Sequence, residues 1–107
     1  MGPEYKVIFG PRSRSDLRDL VGYIRRASGA PEVAERFGMG LVHKAVSLSA
    51  FPERGRVVPE LGLPEVREII HRSYRIVYRI VPGQIQILRF WHAARGAPEI
   101  NVDEFTD

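Results

Sequence analysis

Apolar residues change their period along this chain, and each change marks an element. Glu4-Tyr5-Lys6-Val7-Ile8-Phe9 is short, rich in aromatic and β-branched side chains, and stops at Gly10-Pro11, which predicts a strand followed by a break. Leu17, Leu20, Val21, Ile24 and Ala27 then recur at helical spacing. Ser13 or Ser15 is available as N-cap, Asp16 and Asp19 lie near the positive end of the helix dipole, and Gly29 is placed to terminate the turn.

Pro31 suits the first turn of a second helix, in which Ala34, Phe37, Leu41, Ala45 and Leu48 form one stripe until Phe51-Pro52. Gly38 and Gly40 interrupt it at about 1 kcal/mol each relative to alanine, which points either to close packing against the first helix or to a local kink. The short link around Ser28 to Ala30 makes the pair an antiparallel hairpin. Glycine and proline density marks Pro52 to Pro64 as a connection. Three β-like runs follow, Val66 to His71, Tyr74 to Val81 and Gln84 to His92, separated by Arg72-Ser73 and Pro82-Gly83. The order β-α-α-β-β-β predicts an α+β fold, with a helical hairpin on one face of a small, mainly antiparallel four-stranded sheet and the other face free to bind.

Length and charge refine this picture. A chain of 107 residues supports one domain, 1–107, and the acidic stretch 96–107 after the Gly96-Ala97-Pro98 break is expected to be frayed or loosely docked. There is no cysteine, which excludes disulfides and thiolate metal sites and is compatible with a reducing cytosol. No apolar run approaches the roughly 18 residues of a membrane span, and no signal peptide is recognisable, so a soluble cytoplasmic chain without membrane partners is expected. The formal charge of +3 is unevenly spread: residues 54–95 hold eight basic and three acidic side chains, and residues 96–107 hold four acidic and no basic ones. Fourteen of the sixteen basic residues are arginine, whose planar fork grips phosphate or carboxylate through two hydrogen bonds.

Alternation in the penultimate run places Tyr74, Ile76, Tyr78 and Ile80 on one face and Arg75, Val77, Arg79 and Val81 on the other. If Val81 pairs with Gln84, the arginine face continues onto Gln86, Leu88, Phe90 and His92, leaving Ile85, Ile87 and Trp91 beside the tyrosines with Arg89 as the exception. Arg75 and His92 would then converge, able to neutralise a phosphate and exchange a proton without a metal or other cofactor. A slip of one residue would carry His92 to the core side instead. His43 and His71 lack the spaced partners of a metal site, and Glu60, Glu65 and Glu68 are as compatible with salt bridges as with a general base. Gly38-Met39-Gly40 lies within a helix, not after a strand, so it is no phosphate loop.

Taken in order, several segments resemble the RelE/ParE superfamily of type II toxins: Tyr5-Lys6-Val7-Ile8-Phe9 with Pro11 and Asp16-Leu17, Phe51-Pro52 with Gly55-Arg56, Val66-Arg67-Glu68-Ile69, Tyr74-Arg75-Ile76-Val77-Tyr78-Arg79, and Ile87-Leu88-Arg89-Phe90-Trp91-His92 ending in Arg95. The resemblance implies the fold above and a cognate antitoxin whose disordered, acidic, amphipathic C-terminal segment covers the toxin. RelE-like members cleave messenger RNA on the ribosome, which would map catalysis onto Arg75 and His92, with Arg56 helping to hold phosphate. ParE-like members block DNA gyrase by binding, which would assign Arg67, Arg75, Arg79 and Arg95 to target docking. The only lysines, Lys6 and Lys44, lie outside the last strands, unlike the lysine-rich grip of RelE, and the Phe-Pro-x-x-Gly-Arg segment resembles the ParE side. A non-toxic family member that binds nucleic acid is the remaining expectation.

Overall fold

The computed structural model describes residues 4–105. Strand β1 (Lys6–Phe9) leads into helices α1 (Pro11–Ser28) and α2 (Pro31–Val46), followed by β2 (Arg56–Val57), β3 (Val66–His71), β4 (Tyr74–Val81) and β5 (Gln84–His92). The sheet has five strands in the order β1-β5-β4-β3-β2, one more than expected, because Arg56 and Val57 of the glycine-proline connection pair with Glu68 and Arg67. β1 runs parallel to β5 and the other neighbours are antiparallel.

Both helices open on proline, whose missing N–H costs nothing in a first turn. α1 starts earlier than its serines suggested: Gly10 is its N-cap, and the buried Ser13 hydroxyl donates back to Gly10 O at 2.8 Å. Gly29 ends it in the left-handed conformation at φ 67°, as its position predicted. α2 is continued by a 3-10 turn at Ser47–Ser49. Gly38 is a point of close approach between the helices, since a methyl group there would meet Val21 Cγ2 at 2.8 Å.

The helical pair covers one sheet face. Leu20, Leu41, Ala45 and Leu48 pack on Ile69, Ile76, Tyr78, Ile85, Ile87 and Phe90 in a continuous core. Each fully buried aliphatic or aromatic side chain there contributes roughly 1.5–3 kcal/mol. The Tyr78 hydroxyl donates to Pro52 O at 2.7 Å and accepts from Gly55 N at 3.0 Å, which pins the connection beside the strands.

Register begins as expected and then changes. Val81 pairs with Gln84 and Arg79 with Gln86, but Tyr78 pairs with Ile87 while Val77 pairs with Arg89, so Leu88 is an extra residue in β5. Beyond this bulge the faces exchange. Phe90 and His92 pair with Ile76 and Tyr74 on the helix side, whereas Trp91 pairs with Arg75 on the other. The expected grouping of Phe90 and His92 with Arg75 therefore does not form, and neither does that of Trp91 with the tyrosines.

The second sheet face is not free. Val58, Val66, Val77 and Leu88 are buried there beneath Ile100, Val102 and Phe105 of the acidic C-terminal segment, which packs on the sheet through its apolar side chains. The segment also fits tightly against the start of α1: a methyl on Gly10 would collide with Glu104 Oε2 and lie 2.9 Å from Phe105 Cε1. Among the described residues no helix is long and apolar enough to cross a membrane.

Candidate target-binding site

Arg75 lies at the centre of a four-residue charge network on the second sheet face. β4 carries Arg75, β3 places Glu68 diagonally beside it, β2 sets Arg56 opposite Glu68, and the following turn brings Glu60 over the top. Arg75 donates from Nε to Glu68 Oε1 at 2.6 Å and from both terminal nitrogens to Glu60, at 3.0 and 2.6 Å. Arg56 Nε donates to the other Glu68 oxygen at 2.7 Å. Side-chain exposure is 0% for Glu68, 9% for Arg75 and 35% for Glu60, so the network is closed below and open only at Glu60 and Arg56. Hydrogen bonding to Arg75 holds the Glu60 carboxyl at about 2, well below the usual carboxylate range. The same contact raises the Arg75 pKa further, against the effect of burial. Two guanidinium and two carboxylate groups balance in charge, and Arg75 has its main donors committed within the chain.

His92 stands on the opposite face. Its ring meets Tyr74 edge-on at 5.0 Å, and its Nδ1 accepts the Ala94 N–H at 3.1 Å. It lines a cleft of about 190 Å³ with Asp19, Tyr23, Tyr74, Phe90 and Arg95. Burial, with Tyr23 nearby, raises the Tyr74 hydroxyl pKa. The arginine and histidine expected to act together are thus separated by the thickness of the sheet.

The other expected docking arginines are also engaged. Arg79 donates to Val102 O at 2.9 Å and lies 3.8 Å from Asp103, while its buried Nε has no hydrogen-bond partner among the described residues. Arg67 donates to Pro64 O and Gly55 O, both at 3.0 Å, tying down the connection before β3. Arg95 lies flat on Trp91, its guanidinium carbon 3.8 Å from the ring centroid, and leaves its polar edge to solvent. Of the five arginines expected to bind target or phosphate, Arg56 and Arg95 are exposed, Arg67 and Arg79 are half-buried, and Arg75 is buried.

Sequence reasoning missed the partnership of Arg89 with Asp16, which fastens β5 to α1 at the bulge. The available signal was Arg89 itself, a charge in a run of buried positions, but its partner lies at the far end of the chain. Among the described residues no group of three or more histidine, aspartate or glutamate side chains gathers in a metal-binding cluster.

Comparison with known proteins matches this architecture. The family described as ParE toxin of type II toxin-antitoxin system, parDE, matches residues 7–96. Toxin RelE2 of Caulobacter vibrioides is 35% identical over 91 residues, covering 84% of this chain and 97% of that protein. The fold is similar to a chain of the chromosomal ParDE system from P. aeruginosa, with a TM-score of 0.71 at 22% identity over 83% of this chain and 96% of that one. It is also similar to a chain of the toxin–antitoxin complex RelBE2 from Mycobacterium tuberculosis, with a TM-score of 0.62 at 28% identity over 83% and 98% of the two chains.

Proposed function

The chain belongs to the ParE toxin family of type II toxin–antitoxin systems, within the RelE/ParE superfamily, and on that footing we propose that it arrests growth by binding DNA gyrase without cleaving nucleic acid itself. The observation that carries this reading is the separation of Arg75 from His92. Arg75 is held by Glu60 and Glu68 on one face of the sheet, and His92 stands beside Tyr74 on the other. Cleavage of RNA by general acid–base chemistry needs the proton donor and the phosphate-neutralising cation on one side of the substrate. A docking toxin needs only a rigid charged surface. Arg56 and Arg95 would touch the target, Arg67 would support the rim, and Arg75 and Arg79 would fix the strands and the C-terminal segment beneath it.

A cognate antitoxin with an acidic amphipathic segment would neutralise the toxin, in keeping with the ParDE and RelBE2 assemblies to which its fold is similar. A second reading, ribosome-dependent cleavage of messenger RNA, is favoured by the 35% identity to a protein named RelE2. One experiment separates the two. Purified chain is added to gyrase on relaxed plasmid and, in parallel, to a translating extract. Inhibited supercoiling or trapped cleaved DNA with intact message is expected. Cut message that disappears on His92→Ala, with gyrase unaffected at large excess, would overturn the binding reading in favour of the second.

A further inference from the structure

The sheet face turned away from the helices is covered by the chain's own C-terminal segment. Val58, Val66, Val77 and Leu88 are fully buried and form an aliphatic floor for Ile100, Val102 and Phe105, while Glu99, Asn101 and Asp103 alternate with them and are exposed. The floor lies wholly within the family match, which ends at Gly96, and the cover, residues 97–105, lies outside it. Among the described residues the cover adds no strand to the sheet and shares no main-chain hydrogen bond with it. Three sheet side chains hold residues 96–105 instead, each by donating to a main-chain carbonyl: Arg79 to Val102 O at 2.9 Å, Arg89 to Glu99 O at 2.7 Å and Trp91 to Gly96 O at 3.1 Å. The polar match is incomplete. Arg79 Nε and Glu104 Oε2 are buried without a hydrogen-bond partner among the described residues, and each weighs against this seating.

We propose that this face is a docking surface for an acidic segment of a partner polypeptide, with apolar side chains spaced as Ile100, Val102 and Phe105 are, and that the chain's own residues 97–105 fill it until that segment replaces them. The seated segment shows what the face accepts. Its apolar side chains meet an aliphatic floor, which would strip water from a phosphate backbone and return no partner. Its carbonyls take the guanidinium and indole N–H groups, a grip that any polypeptide satisfies whatever its sequence. Its charge complements the body: residues 97–105 hold three acidic and no basic side chains, against eight basic and three acidic in residues 54–95. Good apolar contact with an incomplete polar match suits a cover that a better-fitting segment can displace. The partner meant is the antitoxin segment of the proposed function, so the assignment rests on that reading and adds where the segment docks and what it displaces.

The test is fluorescence anisotropy of the purified full chain with a labelled peptide of residues 97–105 added in trans. In the parent the tethered segment competes at an effective concentration on the order of millimolar, and in I100S/V102S/F105S it no longer holds the face. The variant is therefore expected to bind the peptide at least about tenfold more tightly than the parent does. A peptide carrying the same three serines, its charges unchanged, should bind the variant at least about tenfold more weakly than the unaltered peptide. Should circular dichroism show the triple variant unfolded, V102S, which alters one half-buried side chain, takes its place with an expected gain of about threefold or more. Equal affinity of parent and variant, equal binding of the serine peptide, or release of the peptide from the variant by duplex DNA of the same total charge would overturn the proposal, the last in favour of a general anion surface. The assay contains neither gyrase nor an antitoxin, so its failure would move the antitoxin's contact elsewhere and leave the proposed function standing.

Discussion

Asp16 receives both a terminal and an ε N–H of Arg89, 73 positions away in sequence, at 2.8 Å each, and takes the Phe90 backbone N–H at 3.0 Å. β1 stops opposite Ile87, so β5 continues past it without a strand neighbour on that side. A carboxylate from α1 thus satisfies backbone that the ladder leaves open, and also a guanidinium with 9% of its side chain exposed. Replacing Asp16 by alanine leaves that cation with the Glu99 carbonyl as its one remaining hydrogen-bond partner among the described residues, beside the Trp91 ring. An expected loss of about 3–5 kcal/mol follows for breaking a buried pair from one side, measurable as a fall in the urea midpoint. Asp16→Asn keeps an acceptor for Phe90 and should lose less.

The charge network predicts a particular acid response. The Glu60 carboxyl in the folded chain sits at about 2, against 4.5 for the unperturbed group, because Arg75 hydrogen-bonds its ionised form. A group depressed in this way adds stability that is fully present above its unfolded value and is lost as pH falls through the window from 4.5 to about 2. The unfolded chain binds more protons there, so stability rises with pH. Urea titrations across that window should show a slope that Glu60→Gln flattens; an unchanged slope would contradict the assignment.

Arg75 and His92 should separate by the quantity they affect. Arg75→Ala leaves the buried Glu68 with Arg56 alone and Glu60 without its arginine partner, and is expected to cost about 3–5 kcal/mol of folding stability. His92 is half-exposed, and His92→Ala should stay within about 1 kcal/mol of the parent. Thermal melts of the two variants check the ordering, and similar losses in both would argue against the network as a structural element.

Gly10→Ala tests how firmly the C-terminal segment is seated. The added methyl would lie 3.0 Å from Ile87 O, which cannot swing away, as well as against Glu104 and Phe105. Overpacking of this kind costs about 1–3 kcal/mol. Limited proteolysis should show faster cleavage after Gly96 than in the parent, with the sheet core still protected; equal cleavage rates would show that the segment accommodates the methyl without loosening.

Much of the architecture was legible because its signals are local. The change from alternation to helical period located the helices, Gly29 marked where α1 stops, and Pro82-Gly83 set the hairpin that pairs Val81 with Gln84, with Gly83 at φ 71°. The site was less legible. Alternation assigns faces only while two strands advance in step, and the extra Leu88 ends that step without any glycine or proline to announce it. Likewise, acidic composition suggested a loose tail, yet Ile100, Val102 and Phe105 cover the face that the arginines were expected to display. The arginines themselves were visible, but their partners, Glu60 and Glu68 for Arg75 and Asp16 for Arg89, depend on tertiary placement that no short motif encodes.

One supernumerary leucine therefore acts as a half-turn in the presentation of everything downstream of it. A homologue with the same closing strand but one residue fewer would show its histidine on the side where this chain shows Trp91. Residues that align letter for letter in two such toxins need not occupy the same side of the sheet, and counting through the bulge must precede any transfer of roles between them.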